Sequence, residues 1–234
     1  MEGLLEIQER VKRACERSGR DPAEVKLIAV TKGHGSGEIH EQVLSHGHKI
    51  LGESRIQEWR TKLEEINNVE WHLIGNLQTN KVKYCRPFHT LHTLNSERLA
   101  DALEAYGENN DHHFRVLVEV NVAGEANKQG VESGEAKALV GYAQRLPHLE
   151  VAGLMTIAPY SDDPEVSRPV FRALRKLRDR LALKELSIGM SGDFETAIEE
   201  GATYIRVGSA LFVPQPATTH LATTDLRTTD QEER

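Results

Sequence analysis

Lys32 follows the apolar run 25–30 closely and is succeeded at once by Gly33, His34, Gly35, Ser36 and Gly37. A primary amine at the end of a buried strand, opening a glycine-rich turn, is placed to act as a Schiff-base nucleophile on a carbonyl compound. The same position also suits a surface lysine that simply begins a loop. The GHGSG spacing is neither the GxxxxGK(S/T) of a P-loop nor the GxGxxG of a dinucleotide site, so it does not point to a nucleotide. Near the other end, Met190, Ser191, Gly192 and Asp193 precede a short helix expected from Phe194, and Arg206, Val207, Gly208 and Ser209 lie within the last apolar run. The hydroxyls of Ser191 and Ser209 and the backbone around Gly192 and Gly208 form a donor set for phosphate oxygens. Asp193 reads equally as the N-cap of the helix that follows.

These residues need elements that bring them together. Short apolar, β-branched runs occur at 25–32, 49–53, 70–75, 89–94, 115–122, 150–157, 186–190 and 204–212, the fourth being weaker and interrupted by histidine. Helical periodicity fills the intervals at 38–46, 56–66, 80–86, 97–106, 132–145, 170–183 and 194–200. Eight strands alternating with helices predict an α/β fold, a single parallel (β/α)8 TIM-type barrel, with an open doubly wound sheet as the other arrangement of the same units. In a barrel the first and eighth strands are neighbours, and active sites lie at the carboxyl ends of the strands. Lys32 then faces the donors of strands seven and eight, which describes a site for a phosphorylated carbonyl compound.

Composition bounds the remainder. The chain has 234 residues, 38% hydrophobic and 28% charged, and a formal charge of −7, which fits a large core under a soluble surface and excludes a basic nucleic-acid binder. No run approaches the length of a membrane span, and the start mixes apolar and charged residues at helical spacing, unlike a signal peptide. Cys15 and Cys85 stand far apart, which argues against a disulfide framework or a zinc site and fits a reducing cytoplasm. In the helix at 170–183, Phe171, Leu174, Leu177 and Leu181 make an apolar stripe, and Arg172, Arg175, Lys176, Arg178 and Arg180 are read as a solvated face. Residues 1–213 are expected to form the barrel domain and 214–234, rich in Thr and charge, a disordered tail. The amphipathic segment 4–17 is expected to cover barrel surface left bare by the lack of a helix after strand eight.

Seven ordered motifs carry a resemblance: AVTK at 29–32, GESRIQE at 52–58, WHLIGNLQTNK at 71–81, EVNVAGEANKQG at 119–130, GLMTI at 153–157, LSIGMSGD at 186–193 and IRVGSALF at 205–212. The chain resembles the YggS/PROSC family of pyridoxal phosphate homeostasis proteins, which look like the barrel half of bacterial alanine racemase. The resemblance implies pyridoxal 5′-phosphate held as an aldimine on Lys32, its phosphate on Ser191, Gly192, Gly208 and Ser209, and Arg206 facing the pyridine nitrogen. A guanidinium has donors only, so it leaves that nitrogen unprotonated and weakens the ring as an electron sink. The racemase adds a tyrosine base from a further carboxyl-terminal domain; this sequence shows no such domain and no tyrosine after Tyr204. The expectation is therefore a cytoplasmic, monomeric carrier that buffers pyridoxal phosphate or delivers it to apoenzymes requiring it, without turnover. It involves neither nucleic acid, membrane nor metal. An amino-acid racemase or decarboxylase using the same cofactor, and a Schiff-base aldolase using none, are the alternatives.

Two positions depart from the family pattern. Ser54 stands where the family usually has asparagine, putting a shorter hydroxyl near the cofactor, and Val213 and Pro214 replace a glycine and an arginine. His72, on the third strand, either approaches the cofactor or packs beside Trp71.

Overall fold

A computed structural model describes residues 3–125 and 129–212. The apolar runs become β1 (Lys26–Val30), β2 (Ile50–Glu53), β3 (Glu70–Leu73), β4 (Phe88–Leu94), β5 (Phe114–Asn121), β6 (Val131–Glu132), β7 (Leu149–Met155), β8 (Glu185–Ser187) and β9 (Tyr204–Val207). All pair in parallel, and the two-residue β6 adds only to the edge of β5. The other eight run in chain order around a closed ring, β9 returning to β1 and β4 joining β5. The fold is the eight-stranded barrel expected from the alternation, and ring closure rules out the open sheet.

Around it lie α1 (Gly3–Ser18), α2 (Ser36–Gln42), α3 (Ile56–Lys62), α4 (Glu97–Asn110), α5 (Ala136–Ala143), α6 (Arg168–Arg180) and α7 (Phe194–Glu199). The helices expected at 38–46 and 56–66 end early, at Gln42 and Lys62, and two others differ more. The segment expected at 80–86 is a 3-10 turn over Thr79–Tyr84, and the helix expected from 132 begins at Ala136, because Val131 and Glu132 are drawn into pairing with Val120 and Asn121. Strands β1, β8 and β9 also stop short, so Lys32, Ser191 and Ser209 all sit in turns beyond the strand ends. The expected tail at 214–234, and Val213 before it, lie outside the described residues.

Alternation along the strands separates two cores. On β1 and β9, Leu27, Ala29, Ile205 and Val207 join the large layer between barrel and helices, whereas Ile28 and Tyr204 join a small interior cluster with Leu117, Ala152 and Met155. Arg206 shares the interior parity of Tyr204. α1 buries Leu4, Ile7, Val11, Ala14 and Cys15, and lies on α7, with Arg10 Nε donating to Glu195 Oε1 (2.7 Å) and Arg17 reaching Glu195 and Glu199. Its first residue, Gly3, donates its N–H to the Ala210 carbonyl just past β9 (3.0 Å). The segment thus covers the seam where the barrel closes, as its amphipathic pattern suggests.

The basic face of α6 is only partly solvated. Arg168, Arg172 and Arg175 converge on the buried Glu200 at 2.8 to 3.3 Å, clamping α6 to the end of α7. Periodicity identified the face but not its partner, since Glu200 comes from the next helical unit. Among the described residues no helix is long and apolar enough to cross a membrane.

Gly153 of the GLMTI motif shows how tightly the strands meet. A Cβ there would overlap the backbone carbonyl of Glu185 on β8, which cannot swing aside as a side chain would. Gly153→Ala is expected to destabilise the barrel by about 1–3 kcal/mol, read as a lowered midpoint in urea denaturation.

Candidate functional site

The turn carrying Lys32 is held from behind by a buried ionic group. Thr31 and Glu53 leave β1 and β2 on the outer face, where Glu53 Oε1 accepts from Thr31 Oγ1 (2.6 Å) and from Lys62 Nζ of α3 (2.5 Å). Lys62 Nζ also donates to the Thr31 carbonyl (2.7 Å), and Glu58 Oε1 accepts from the Gly33 N–H. Both backbone flanks of Lys32 are therefore fixed by α3, while the Lys32 side chain itself is exposed. Gly33 adopts φ +81°, a left-handed conformation that explains a glycine directly after the lysine. Further on, the His34 ring stacks on Phe212 at 3.7 Å, tying this loop to the segment after β9.

The donors of the last two strands meet next to it. β1 pairs with β9 in the register Ile28↔Arg206 and Ala29↔Val207. Beyond that ladder a Cβ on Gly208 would lie 3.2 Å from Val30 Cβ, so glycine permits the close approach. The Gly208 N–H donates to Ser191 Oγ (3.3 Å), joining the turn after β8 to the turn after β9. Gly192 and Ser209 are exposed on the two turns. Asp193 precedes α7 but does not cap it. Its Oδ1 accepts from the Met190 N–H (2.7 Å) and its Oδ2 from Ser167 Oγ (2.8 Å), so it shapes the turn that presents Ser191. Lys32, Ser191, Gly192, Gly208 and Ser209 are thus brought to one rim of the barrel.

Arg206 lies beneath that rim, buried in the interior, with Nη1 donating to Ser187 Oγ (2.6 Å) and Nη2 to the Thr156 carbonyl (3.0 Å). Burial lowers the guanidinium to about 10, with Asp193 and Glu119 pulling the other way. Glu119, on β5, is also buried, and its Oε2 has no hydrogen-bond partner. Burial pushes its carboxyl up to about 7 against the opposing pull of Arg206. Sequence reading missed Glu119, Glu53, Glu58 and Lys62; a carboxylate at a buried strand position was the available signal for the first two.

The remaining two candidates sit elsewhere. Ser54 lines a cavity of about 420 Å³ at the carboxyl ends of β2 and β3, with Gly75, Asn76, Gln78 and Lys81 among its other walls. Lys32 is not part of that cavity. His72 is fully buried, with Nδ1 2.9 Å from His92 Nε2 and Nε2 2.8 Å from Glu70 Oε1. Both ring nitrogens are committed within the barrel interior, towards the amino ends of the strands. Glu70, His72 and His89 bring ligand-type atoms within 4.8 Å of one another, but the Lys26 ammonium, 3.8 Å from Glu70, already supplies positive charge there.

Residues 4–216 match the alanine racemase N-terminal domain family. The pyridoxal phosphate homeostasis protein of Aquifex aeolicus is 46% identical over 220 residues, spanning 90% of this chain and 96% of that protein. The chain belongs to the pyridoxal phosphate homeostasis protein family. Among solved structures, an unknown protein from Bifidobacterium adolescentis superposes with a TM-score of 0.82 at 34% identity, covering 88% of this chain and 91% of its own. PipY of Synechococcus elongatus, solved with PLP bound, superposes with a TM-score of 0.76 at 30% identity, over 87% of this chain and all of PipY.

Within this family member, two features of the site are measurable without a ligand. Lys62→Met strands the buried Glu53 carboxylate and should cost about 3–5 kcal/mol in urea denaturation, and adding Glu53→Gln should recover most of the loss. Glu119 titrates higher folded than unfolded, so its stabilising share is complete below pH 4.5 and is lost as pH rises through about 7. The ligand-free Glu119→Gln protein should therefore match wild type at low pH and exceed it by up to about 3 kcal/mol at pH 8, compared by denaturant midpoints at both pH values.

Proposed function

We propose that this chain binds pyridoxal 5′-phosphate covalently through Lys32 and serves intracellular homeostasis of that cofactor, holding it and passing it to apoenzymes that require it, without turnover. The observation that carries the reading is the β1–β9 seam, which sets the Lys32 turn beside the linked turns of Ser191 and Gly208. The names of the relatives, and a PLP-bound relative of the same fold, support the choice of ligand.

The residues present fit the group. Pyridoxal phosphate, when bound, supplies an aldehyde that joins a primary amine with loss of water. The exposed Lys32 amine is the nucleophile available to it, on a turn whose backbone is already fixed. Ser191 and Ser209 offer hydroxyls, and Gly192 and Gly208 offer approachable backbone with no Cβ, to the phosphate oxygens. Arg206 presents N–H donors from below. Its described contacts use two of the guanidinium's five N–H groups, so donors remain for an acceptor nitrogen. A donor-only group there keeps a pyridine nitrogen unprotonated, and the site is thereby suited to holding the cofactor more than to stabilising carbanions. Ser54 and His72 are assigned to the cofactor by the family resemblance alone: Ser54 lines a cavity that does not include Lys32, and both His72 ring nitrogens are engaged by His92 and Glu70.

Purified protein is expected to show a visible absorption band and a borohydride-fixable adduct, and Lys32→Ala to lose both. An adduct that survives Lys32→Ala overturns the assignment. Added amino acids should shift the band without product and without α-proton exchange into deuterated solvent at a catalytic rate; rapid exchange would instead mark a racemase or decarboxylase.

A further inference from the structure

A continuous polar chain crosses the barrel interior from its amino end to Arg206. Glu70 Oε1 lies 2.8 Å from His72 Nε2, His72 Nδ1 lies 2.9 Å from His92 Nε2, and His92 Nδ1 lies 2.9 Å from Ser187 Oγ. Ser187 Oγ in turn accepts from Arg206 Nη1 at 2.6 Å. The members come from β3, β4, β8 and β9, and His72, His92 and Ser187 are fully buried. We propose that Ser187, His92, His72 and Glu70 are positioning residues that hold Arg206 through a one-way hydrogen-bond chain, and so set how its guanidinium meets the cofactor ring. The proposal rests on the reading of the site given above.

The direction of the chain follows from its two ends. Arginine only donates, so Ser187 accepts from Arg206 and has one proton left to give. Its neighbour on the other side is His92 Nδ1, and satisfying the buried hydroxyl makes that nitrogen an acceptor. A neutral His92 then carries its proton on Nε2 and donates to His72 Nδ1. His72, also neutral, carries its proton on Nε2 and donates to the Glu70 carboxylate, which only accepts. Every proton has one acceptor, and reversing any link leaves a buried donor or acceptor unpaired. Burial pushes both imidazoles below their ordinary range, His92 well below it, with the Arg206 guanidinium acting in the same direction on His92. Hydrogen bonding from His72, chiefly, holds Glu70 down at about 2. Charge on Glu70 and neutrality at both histidines are what the one-way chain requires.

At its outer end Glu70 is anchored further by Lys26 Nζ at 3.8 Å and His89 Nδ1 at 3.6 Å. The Tyr204 ring packs 5.4 Å from both His72 and His92, walling the chain from the side. Arg206 therefore cannot rotate towards the barrel floor without breaking its contact with Ser187, and the carbonyl of Thr156 fixes its second nitrogen. The unused N–H groups are left to a ligand at the rim.

The test has a ligand-free arm and a loaded arm. In ligand-free wild type labelled with ¹⁵N-histidine, His72 and His92 should both be Nε2–H tautomers at neutral pH; an Nδ1–H tautomer or an imidazolium at either position overturns the chain. In the loaded arm, protein carrying pyridoxal phosphate labelled with ¹⁵N in the ring is compared for wild type, Ser187→Ala, His92→Phe and His92→Gln. Ser187→Ala and His92→Phe should move the ring-nitrogen resonance and weaken cofactor affinity roughly tenfold, the cost of one weakened charge-assisted hydrogen bond. His92→Gln, whose amide accepts from Ser187 and donates to His72, should restore both. Variants that melt with wild type yet leave the resonance and the affinity unchanged overturn the positioning role. If His92→Phe does not fold, Ser187→Ala and His92→Gln decide the question. Wild type that takes up no cofactor would defeat the functional reading, while the ligand-free tautomers would still decide the chain.

Discussion

Parallel pairing of β1 with β9 is the constraint on which the site depends. Four consecutive register pairs, from Lys26↔Tyr204 to Ala29↔Val207, join segments from near opposite ends of the described chain. Only that closure makes neighbours of the Lys32 turn and the turns of Ser191 and Gly208. The seam is covered by α1 and α7, whose ion pairs are partly exposed and contribute at most about 1 kcal/mol each. Burial of Ile7, Phe194 and Ile198 contributes more, about 1.5–3 kcal/mol for each large side chain. The apolar layer outside the barrel therefore maintains a polar arrangement inside it.

That polar interior is unfavourable for folding. Arg206 and Glu119 share the interior without a direct hydrogen bond, and burial moves each towards its neutral form. A barrel filled by Val, Ile and Leu throughout would avoid this. Here aliphatic packing is confined to the small cluster around Ile28, Leu117 and Met155, and a path from the amino end of the barrel to Arg206 is given to groups that form directed hydrogen bonds. An interior built in this way specifies the orientation of its side chains at some expense in stability.

The barrel was legible because parallel strands buried on both faces read as apolar runs, and eight of them alternated with helical periods. The rim residues were legible because lysine, serine and glycine fell at strand ends. What the sequence did not disclose were partnerships between elements. Lys62 looks like an ordinary helix-end cation until Glu53, from β2, is seen against it. Of the two histidines that made the fourth run look weak, His92 faces the interior beside the helix-facing Leu91 and joins the chain to Ser187, while His89 is exposed near the amino end of the strand. Asp193 stands where an N-cap should, yet its side chain turns to Met190 and Ser167, a choice set by the loop before α6 that no local pattern encodes.

The bonds from α3 to both flanks of Lys32 have an entropic consequence. The Thr31 carbonyl and the Gly33 N–H are already hydrogen-bonded, so in the proposed attachment the backbone of the turn would lose little freedom when a ligand joins Lys32. Ordering is confined to the exposed lysine side chain, at a cost of order 2 kcal/mol. Under the proposed attachment to Lys32, the same side chain would regain that freedom on release, so that capture and discharge could alternate without rebuilding the turn.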